Sequence, residues 1–145
     1  MKVSVIIGST SDKKMGDKAK GVLDDFNIEN EVRIFSAHRA PRDLDEYIAS
    51  SGSQVFIAIA GLSAALPGYI AARTLKPVIG VPKEAKLLGL DSLLSIVQMP
   101  RGVPVACVSI DGAENAALLA VEILAVTDNE LEKKLSDYRA RWSTR

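Results

Sequence analysis

The sequence has 145 residues, 48% hydrophobic but only 5% aromatic, so one domain spanning residues 1–145 with an aliphatic core is expected. Eighteen acidic residues balance eighteen basic ones, which argues against a broad nucleic-acid or anionic-membrane surface but leaves room for a small anion site. No apolar run approaches the roughly 20 residues of a membrane span, and Cys107 is the only cysteine, so a cytoplasmic protein without disulfides is expected.

Hydrophobic patterning predicts strands alternating with helices. In chain order, the predicted elements are a strand at 3–7, a helix after residue 12, a strand at 29–35, a helix from residue 41 to about 51, a strand at 54–60, a helix at 69–74, a strand at 77–81, an irregular segment at 82–90, a helix at 91–98 and a strand at 103–110. Pro41 suits the first turn of its helix, and Pro67 either does the same or kinks the next one. Asp91 is expected to cap the helix at 91–98.

Two further helices are predicted at the end of the chain. Residues 113–126 are apolar nearly all the way round, so this helix is expected to be buried on more than one side, against the sheet and a second subunit. Thr127 followed by Glu130 is a capping-box pattern that predicts the start of the last helix. The apolar stripe of that helix packs either on its own domain or against another subunit. Its residues are Leu131, Leu135, Tyr138 and Trp142.

The alternation of strands and helices predicts an α/β fold, an open parallel sheet with right-handed crossovers and helices on both faces. Sheets of this kind bind ligands outside the carboxyl ends of their strands. Three polar or glycine-rich loops leave those ends, at 8–12, 36–39 and 60–63. We therefore expect these loops to converge on one rim of the sheet.

The first loop has the sequence Gly-Ser-Thr-Ser-Asp before a helix. Exposed backbone N–H groups and the helix dipole at such a place favour a phosphate or carboxylate ligand. Ser9, Ser11 and Asp12 are candidate binding residues on this basis. Alternatively, Asp12 only caps the helix and the serines only turn the chain.

The second loop, Ser36 to Arg39, holds His38, the only histidine of the chain. Histidine exchanges protons near neutral pH, so His38 is the candidate general acid/base, against the alternative of a residue that merely hydrogen-bonds. Arg39 can bind a phosphate through two N–H groups or can lie solvated at the surface. In the third loop, Gly61 and its small neighbours either admit a planar ligand or allow tight packing. One histidine and one distant cysteine do not predict a metal site.

Six segments together resemble the purine-biosynthetic family that makes 4-carboxy-5-aminoimidazole ribonucleotide. They are GSTSD at 8–12, SAHRAP at 36–41, AGLSAALPG at 60–68, PVIGVP at 77–82, GLDSLLSIVQMPRGVPVA at 89–106 and ENAALLAVEIL at 114–124. The resemblance covers essentially the whole chain. It implies a three-layer flavodoxin-like fold with additional C-terminal helices, a homo-octamer with sites between subunits, and no cofactor or metal.

The resemblance also implies roles for the loop residues. Ser9 and Asp12 bind the ribose and phosphate end of a ribonucleotide, Ser36 and Arg39 bind it as well, and His38 is the catalytic acid/base. Ser11 is a further substrate-binding residue. Gly61 and Ser63 belong to the substrate pocket, which holds carbon dioxide as an intermediate or substrate. The segment 88–99 reaches towards the site of a neighbouring subunit.

Two activities occur in this family, and the residues of this chain are mixed between them. The bacterial members are N5-carboxyaminoimidazole ribonucleotide mutases, which usually have a histidine where Ala65 stands. The other branch carboxylates aminoimidazole ribonucleotide directly, lacks that histidine and has a serine where Ser63 stands. Arg39 and the segment SIVQMPRG at 95–102 are mutase-like. The resemblance implies the mutase first and the direct carboxylase as the alternative. Rival readings of the residues alone are a nucleotide-binding module without chemistry and a purely structural oligomer.

Overall fold

The computed structural model describes residues 1–142, and within them the strands and helices alternate as expected. The strands are β1 (Lys2–Ile7), β2 (Glu29–Ile34), β3 (Val55–Ala60), β4 (Val78–Pro82) and β5 (Ala106–Cys107). The helices are α1 (Lys13–Asp25), α2 (Pro41–Ser50), α3 (Leu66–Ala71), α4 (Leu90–Val97), α5 (Ala113–Ala125) and α6 (Asn129–Ala140), with short 3-10 turns at Thr10–Asp12 and Leu87–Gly89. None of the helices in this part of the chain is long and apolar enough to cross a membrane.

The five strands form one parallel sheet in the order β2-β1-β3-β4-β5. This is the flavodoxin-like order, in which the direction of winding reverses between β1 and β3. The predicted α/β class and the three-layer arrangement are confirmed. A ligand cleft is expected at the carboxyl ends of β1 and β3, because the loops from these strands leave to opposite faces of the sheet.

Buried aliphatic side chains cover both faces of the sheet, because strands enclosed on two sides need apolar residues throughout. On one face, β1, β3 and β4 pack against α1, α5 and α6. On the other face, alternate strand residues pack against α2, α3 and α4, with Phe56 as the largest fully buried side chain. Glycines permit close helix contacts: a Cβ built on Gly80 of β4 would lie 2.5 Å from Ile96 Cγ2 of α4.

The last two helices pack on their own domain in the described residues. The buried residues of α5 are Ala113, Ala116, Ala117, Ala120, Val121, Leu124 and Ala125. They pack with α1 and with β3 and β4 of the sheet, so one face of α5 is already covered within the chain. From α6, Leu131 is buried and the Tyr138 ring lies 5.5 Å from that of Phe26. Leu131, Leu135 and Tyr138 of the α6 stripe therefore pack against their own domain, whereas Trp142 is 62% exposed.

Two predicted helix caps are wrong. Asp91 lies inside the first turn of α4, which begins one residue earlier and has Gly89 at its N-cap position with φ +80°. The last helix is capped by Asp128, whose carboxylate accepts a hydrogen bond from the Leu131 N–H at 2.9 Å. Thr127 and Asp128 are both good capping residues, and the helix begins one residue later than the Thr127 pattern indicates.

Two predicted elements have different lengths. The fifth strand contains only Ala106–Cys107 instead of 103–110. Pro104 lacks the N–H group that a longer ladder needs, which limits the strand on that side. Helix α3 begins at Leu66, three residues earlier than expected, and Pro67 occupies its first turn without a kink. A proline there costs nothing, because the first-turn N–H groups have no partner within the helix.

Candidate active site

A cavity of about 460 Å³ opens at the carboxyl ends of β1, β2, β3 and β4. It is lined by Gly8, Ser9, Ser11, Asp12, Ser36, Ala37, His38, Arg39, Ala60, Gly61, Leu62, Ser63, Ala64, Ala65, Leu66, Lys83 and Ala85. All seven candidate binding residues and the candidate acid/base from the sequence therefore face one cavity. The three loops therefore converge on one rim of the parallel sheet, as expected.

Backbone hydrogen bonds hold the loops at this rim. The Gly8 N–H donates to the Ile59 carbonyl at 3.1 Å, which ties the end of β1 to the end of β3. The Phe35 N–H donates to the Ile7 carbonyl at 3.0 Å, which ties the chain after β2 to β1. The loops thus leave the sheet from fixed points, and the cavity between them is built on the rigid layer of the fold.

The centre of the first loop is the buried carboxylate of Asp12, which is only 5% exposed. One carboxylate oxygen accepts hydrogen bonds from the Ser9 N–H at 3.1 Å and the Ser9 hydroxyl at 3.2 Å. The other accepts from the Ser11 hydroxyl at 3.0 Å and the Lys83 ammonium at 2.5 Å. Four donors satisfy this buried charge, which explains how the side chain is held in the loop.

The second loop presents His38 and Arg39 to the solvent side of the cavity. The Ser36 hydroxyl accepts hydrogen bonds from the Arg39 backbone N–H and from Arg39 Nε, both at 3.3 Å. Arg39 is exposed and lines the cavity, so its other guanidinium N–H groups are able to bind an anion. His38 is exposed, and within residues 1–142 no protein group hydrogen-bonds to its ring. Its two ring nitrogens are thus open to a ligand.

The third loop forms the floor between these groups. Gly61 lines the cavity, and a Cβ there would lie 3.3 Å from Ala85 Cβ and 3.6 Å from Lys83 Cβ. The missing side chain therefore makes room for the chain after β4 as well as for the cavity. Ser63 is exposed, whereas Ala64 is buried with φ +33°, an unusual conformation for a residue with a side chain. Ala65 also lines the cavity.

Lys83 is the site residue that the sequence reasoning missed. It follows β4 directly, and its ammonium contacts Asp12 and Ser11 across the cavity floor. The signal that finds it is the strand-end rule applied to the fourth strand as well as to the first three. The pattern of residues 82–90 indicates only an irregular connection, and therefore Lys83 was not predicted as a site residue.

The charges of the site favour an anionic ligand. Arg39 and Lys83 provide two fixed positive charges at the rim, against the single buried carboxylate of Asp12. Hydroxyl groups of Ser9, Ser11 and Ser36 supply further polar contacts. In the described part of the chain, no three His, Cys, Asp or Glu side chains are grouped as metal ligands. The arrangement is suited to binding a phosphorylated molecule beside an imidazole.

Cys107 lies outside this cavity. It is half-buried in β5, and its thiol donates to the Val108 carbonyl at 3.3 Å. Burial raises the pKa of the Cys107 thiol, so the reactive thiolate is disfavoured. Cys107 packs instead against the buried cluster that includes Phe56 and Ile96.

Comparison with known proteins shows which family this chain resembles. The sequence matches the AIR carboxylase family over residues 2–145. The chain is 55% identical over 139 residues to the N5-carboxyaminoimidazole ribonucleotide mutase of Methanocaldococcus jannaschii, covering 96% of this chain and 88% of that protein. It is 50% identical over 143 residues to the Bacillus subtilis protein of the same name, covering 94% of this chain and 88% of that protein. The crystal structure of Treponema denticola PurE superposes with a TM-score of 0.89 at 31% identity, covering 99% of this chain and 92% of that chain.

Proposed function

The chain belongs to the AIR carboxylase family of enzymes, and we propose that it acts in de novo purine biosynthesis as an N5-carboxyaminoimidazole ribonucleotide mutase. The product of that reaction is 4-carboxy-5-aminoimidazole ribonucleotide. The observation that carries the proposal is the meeting of His38, Arg39 and the hydroxyl loop 8–12 at one cavity. The names of relatives about half identical in sequence support the same activity.

The nucleotide is proposed to bind with its ribose and phosphate along the polar side of the cavity. Ser9, Ser11 and Asp12 form the loop that holds this end of the substrate, and Ser36 with Arg39 closes over it from the end of β2. The phosphate is a dianion at neutral pH, so the free N–H groups of Arg39 provide charge-assisted hydrogen bonds. The aminoimidazole ring then lies towards His38, Gly61 and Ser63.

His38 is proposed to relay one proton during the rearrangement. The bond between the exocyclic nitrogen and the carboxyl carbon breaks, carbon dioxide is released into the cavity, and the nitrogen takes a proton from the imidazolium of His38. Ring carbon C4 then attacks the trapped carbon dioxide, and neutral His38 takes the proton that C4 loses. The proton given equals the proton received, so no other acid or base is required. The apolar wall of Ala64, Ala65 and Leu66 restricts water around the carbon dioxide.

Ala65 supports the second activity as an alternative. The bacterial mutases resembled by this chain usually have a histidine there, and the directly carboxylating branch does not. In this chain His38 is the only histidine, so it must carry all imidazole chemistry in either case. The alternative reaction is carboxylation of aminoimidazole ribonucleotide by free carbon dioxide at the same site.

Two substrate mixtures separate the two activities. Purified protein is given N5-carboxyaminoimidazole ribonucleotide without bicarbonate, and separately aminoimidazole ribonucleotide with bicarbonate, and the product is measured in each. Fast turnover of the first alone is expected. Turnover of the second alone assigns the carboxylase instead, and turnover of neither, with no ribonucleotide shifting the melting temperature, leaves a structural protein.

His38→Asn tests the proton relay. Asparagine keeps a polar side chain of similar reach but does not take up a proton near neutral pH, so we expect turnover to fall by at least about 100-fold. Nucleotide binding, measured by calorimetry, is expected to remain within a few-fold of the unaltered protein. A variant that retains full turnover refutes the role of His38. Unaltered protein that binds nucleotide but turns over neither substrate identifies a binding module.

We also propose that the enzyme works in the cytoplasm as a homo-octamer. Helix α4 and the turn before it expose an apolar surface that consists of Leu87, Leu88, Leu90, Leu94 and Val97. Clustered exposed leucines of this kind are typical of subunit interfaces. Light scattering is expected to give eight times the chain mass of 15.5 kDa, and Leu94→Asp is expected to reduce it. A monomeric unaltered protein rules out the octamer.

A further inference from the structure

We propose that Lys83 is a positioning residue that fixes the substrate loop 9–12 in its binding conformation. This inference rests on the proposed function, because it concerns the loop that holds the ribose and phosphate of the nucleotide. Lys83 itself is argued to act through Ser11 and Asp12. It adds to the site a residue from β4, the strand whose loop was not among the three predicted ones.

The backbone of Lys83 is held on both sides. Its N–H donates to the Ala60 carbonyl at the end of β3 at 3.0 Å. Its carbonyl accepts a hydrogen bond at 2.9 Å from the hydroxyl of Ser92, a fully buried residue in α4. A lysine side chain is normally flexible, but here its starting point is fixed by a strand and a helix. The base of the side chain is therefore as rigid as the sheet.

The side chain then crosses the end of β3 to reach the loop after β1. In the sheet, β3 lies between β1 and β4, so Lys83 has to pass over the first residue after β3. That residue is Gly61, and a Cβ there would lie 3.6 Å from Lys83 Cβ and 3.5 Å from the Lys83 carbonyl oxygen. The base of the lysine side chain therefore lies beside Gly61 at ordinary van der Waals distance, and its 22% exposure shows that the side chain is largely covered.

The ammonium has three N–H donors and three acceptors in the loop. It lies 2.5 Å from the Asp12 carboxylate, 3.2 Å from the Ser11 hydroxyl oxygen and 3.2 Å from the Ser11 carbonyl oxygen. Asp12 in turn accepts from both serine hydroxyls and from the Ser9 N–H. One cation therefore organises the backbone and both hydroxyls of the loop. With Lys83 removed, the buried carboxylate lacks its counter-ion and the loop loses its link to β3 and β4.

The position of Lys83 predicts an effect on binding and not on the proton relay. His38 follows β2, and the order β2-β1-β3-β4 separates that strand from Lys83 by two others. Lys83→Met keeps the length of the stem but removes the charge and all three donors. A charge-assisted hydrogen bond is worth on the order of one to two powers of ten in an equilibrium constant, and losing the contacts that hold the loop lowers the affinity for a substrate that needs the ordered loop by up to this factor. We expect KM for N5-carboxyaminoimidazole ribonucleotide to rise about 10-fold to 100-fold, with kcat within about threefold of the unaltered enzyme.

Lys76→Met is the matched control, because Lys76 is exposed at the opposite end of β4 and does not line the cavity. It makes the same change in charge and is expected to leave KM and kcat unaltered. Lys83→Arg keeps a cation that can reach Asp12 and is expected to recover most of the lost affinity. A purely stabilising role of Lys83 predicts a lower melting temperature with an unchanged KM below that temperature, and this result overturns the inference.

The outcomes also separate this inference from the proposed function. If the unaltered enzyme turns over the substrate and Lys83→Met has the same KM as the unaltered enzyme, the inference fails and the proposed function stands. If the unaltered protein turns over neither ribonucleotide, both fail. Should Lys83→Met not fold, Lys83→Gln replaces it, because its neutral amide removes the charge beside Asp12 but keeps N–H donors; a smaller rise in KM is then expected, and an unchanged KM again overturns the inference.

Discussion

Gly80→Ala tests how closely α3 and α4 pack over the sheet. A methyl group at Gly80 would lie 2.5 Å from Ile96 Cγ2 in α4, and 3.2 Å and 3.3 Å from two ring carbons of Pro67 in α3. Carbon atoms in contact normally lie about 3.5–4.0 Å apart, so α4 has to move by about 1 Å. Ile96 is fully buried, which leaves it no solvent-facing rotamer. We expect a loss of about 2–3 kcal/mol, the upper part of the range for overpacked cores.

Thermal unfolding at one fixed protein concentration measures this loss. For a chain of this length, 1 kcal/mol corresponds to about 2–4 °C, so the melting temperature is expected to fall by roughly 5–10 °C. Gly21→Ala is the control, because a Cβ at this position of α1 meets nothing within 4 Å. Replacement of a helical glycine by alanine is expected to stabilise the protein by about 0.5–1 kcal/mol.

A double-mutant cycle identifies the contact responsible. Ile96→Ala alone leaves a cavity and is expected to cost about 2–5 kcal/mol. In the double variant the new methyl group of residue 80 occupies part of that cavity, so the combined loss is expected to be smaller than the sum of the two. Strictly additive losses, or a Gly80→Ala variant that melts with the unaltered protein, would refute the reasoning.

Two further predictions concern stability elsewhere in the chain. Asp128→Ala removes the cap of α6 and is expected to lower the free energy of unfolding, measured by chemical denaturation, by about 1 kcal/mol. Thr127→Ala is the control and is expected to leave that free energy nearly unchanged. Equal losses in the two variants would contradict the assigned cap. Burial raises the pKa of Tyr47 to about 12, so the stability it contributes is complete below pH 10 and is lost as the pH rises from 10 to 12. After discounting for the partial exposure of Tyr47, the loss is about 1 kcal/mol, and Tyr47→Phe is expected to abolish it in melts across that window.

The rim of the sheet was predictable from the sequence because its position follows from chain connectivity alone. Each of the loops 8–12, 36–39 and 60–63 follows a buried parallel strand, and the carboxyl ends of parallel strands meet at one edge. Binary patterning was strong enough to identify β1, β2 and β3 within one or two residues. The cavity between the loops required no knowledge of side-chain contacts.

The contacts across the rim were not predictable in the same way. Lys83 and Asp12 are 71 residues apart, and their pairing depends on the lysine side chain reaching across the end of β3, which no local pattern encodes. The cap of α6 was missed for a different reason, since Thr127 and Asp128 are chemically similar candidates and packing selects between them. Local chemistry therefore identified the loops, while tertiary geometry determined which side chains meet there.

The two edges of the sheet have a consequence for how the protein avoids aggregation. At one edge, β2 alternates charged residues along its length, and Glu31 forms an ion pair with Lys2 of β1 at 2.7 Å. At the other edge, β5 is only two residues long and follows Pro104. Charged, short or proline-flanked edges resist the addition of a strand from another molecule. Copies of this chain are therefore expected to associate through their helical surfaces, and the sheet is protected from growth into fibres.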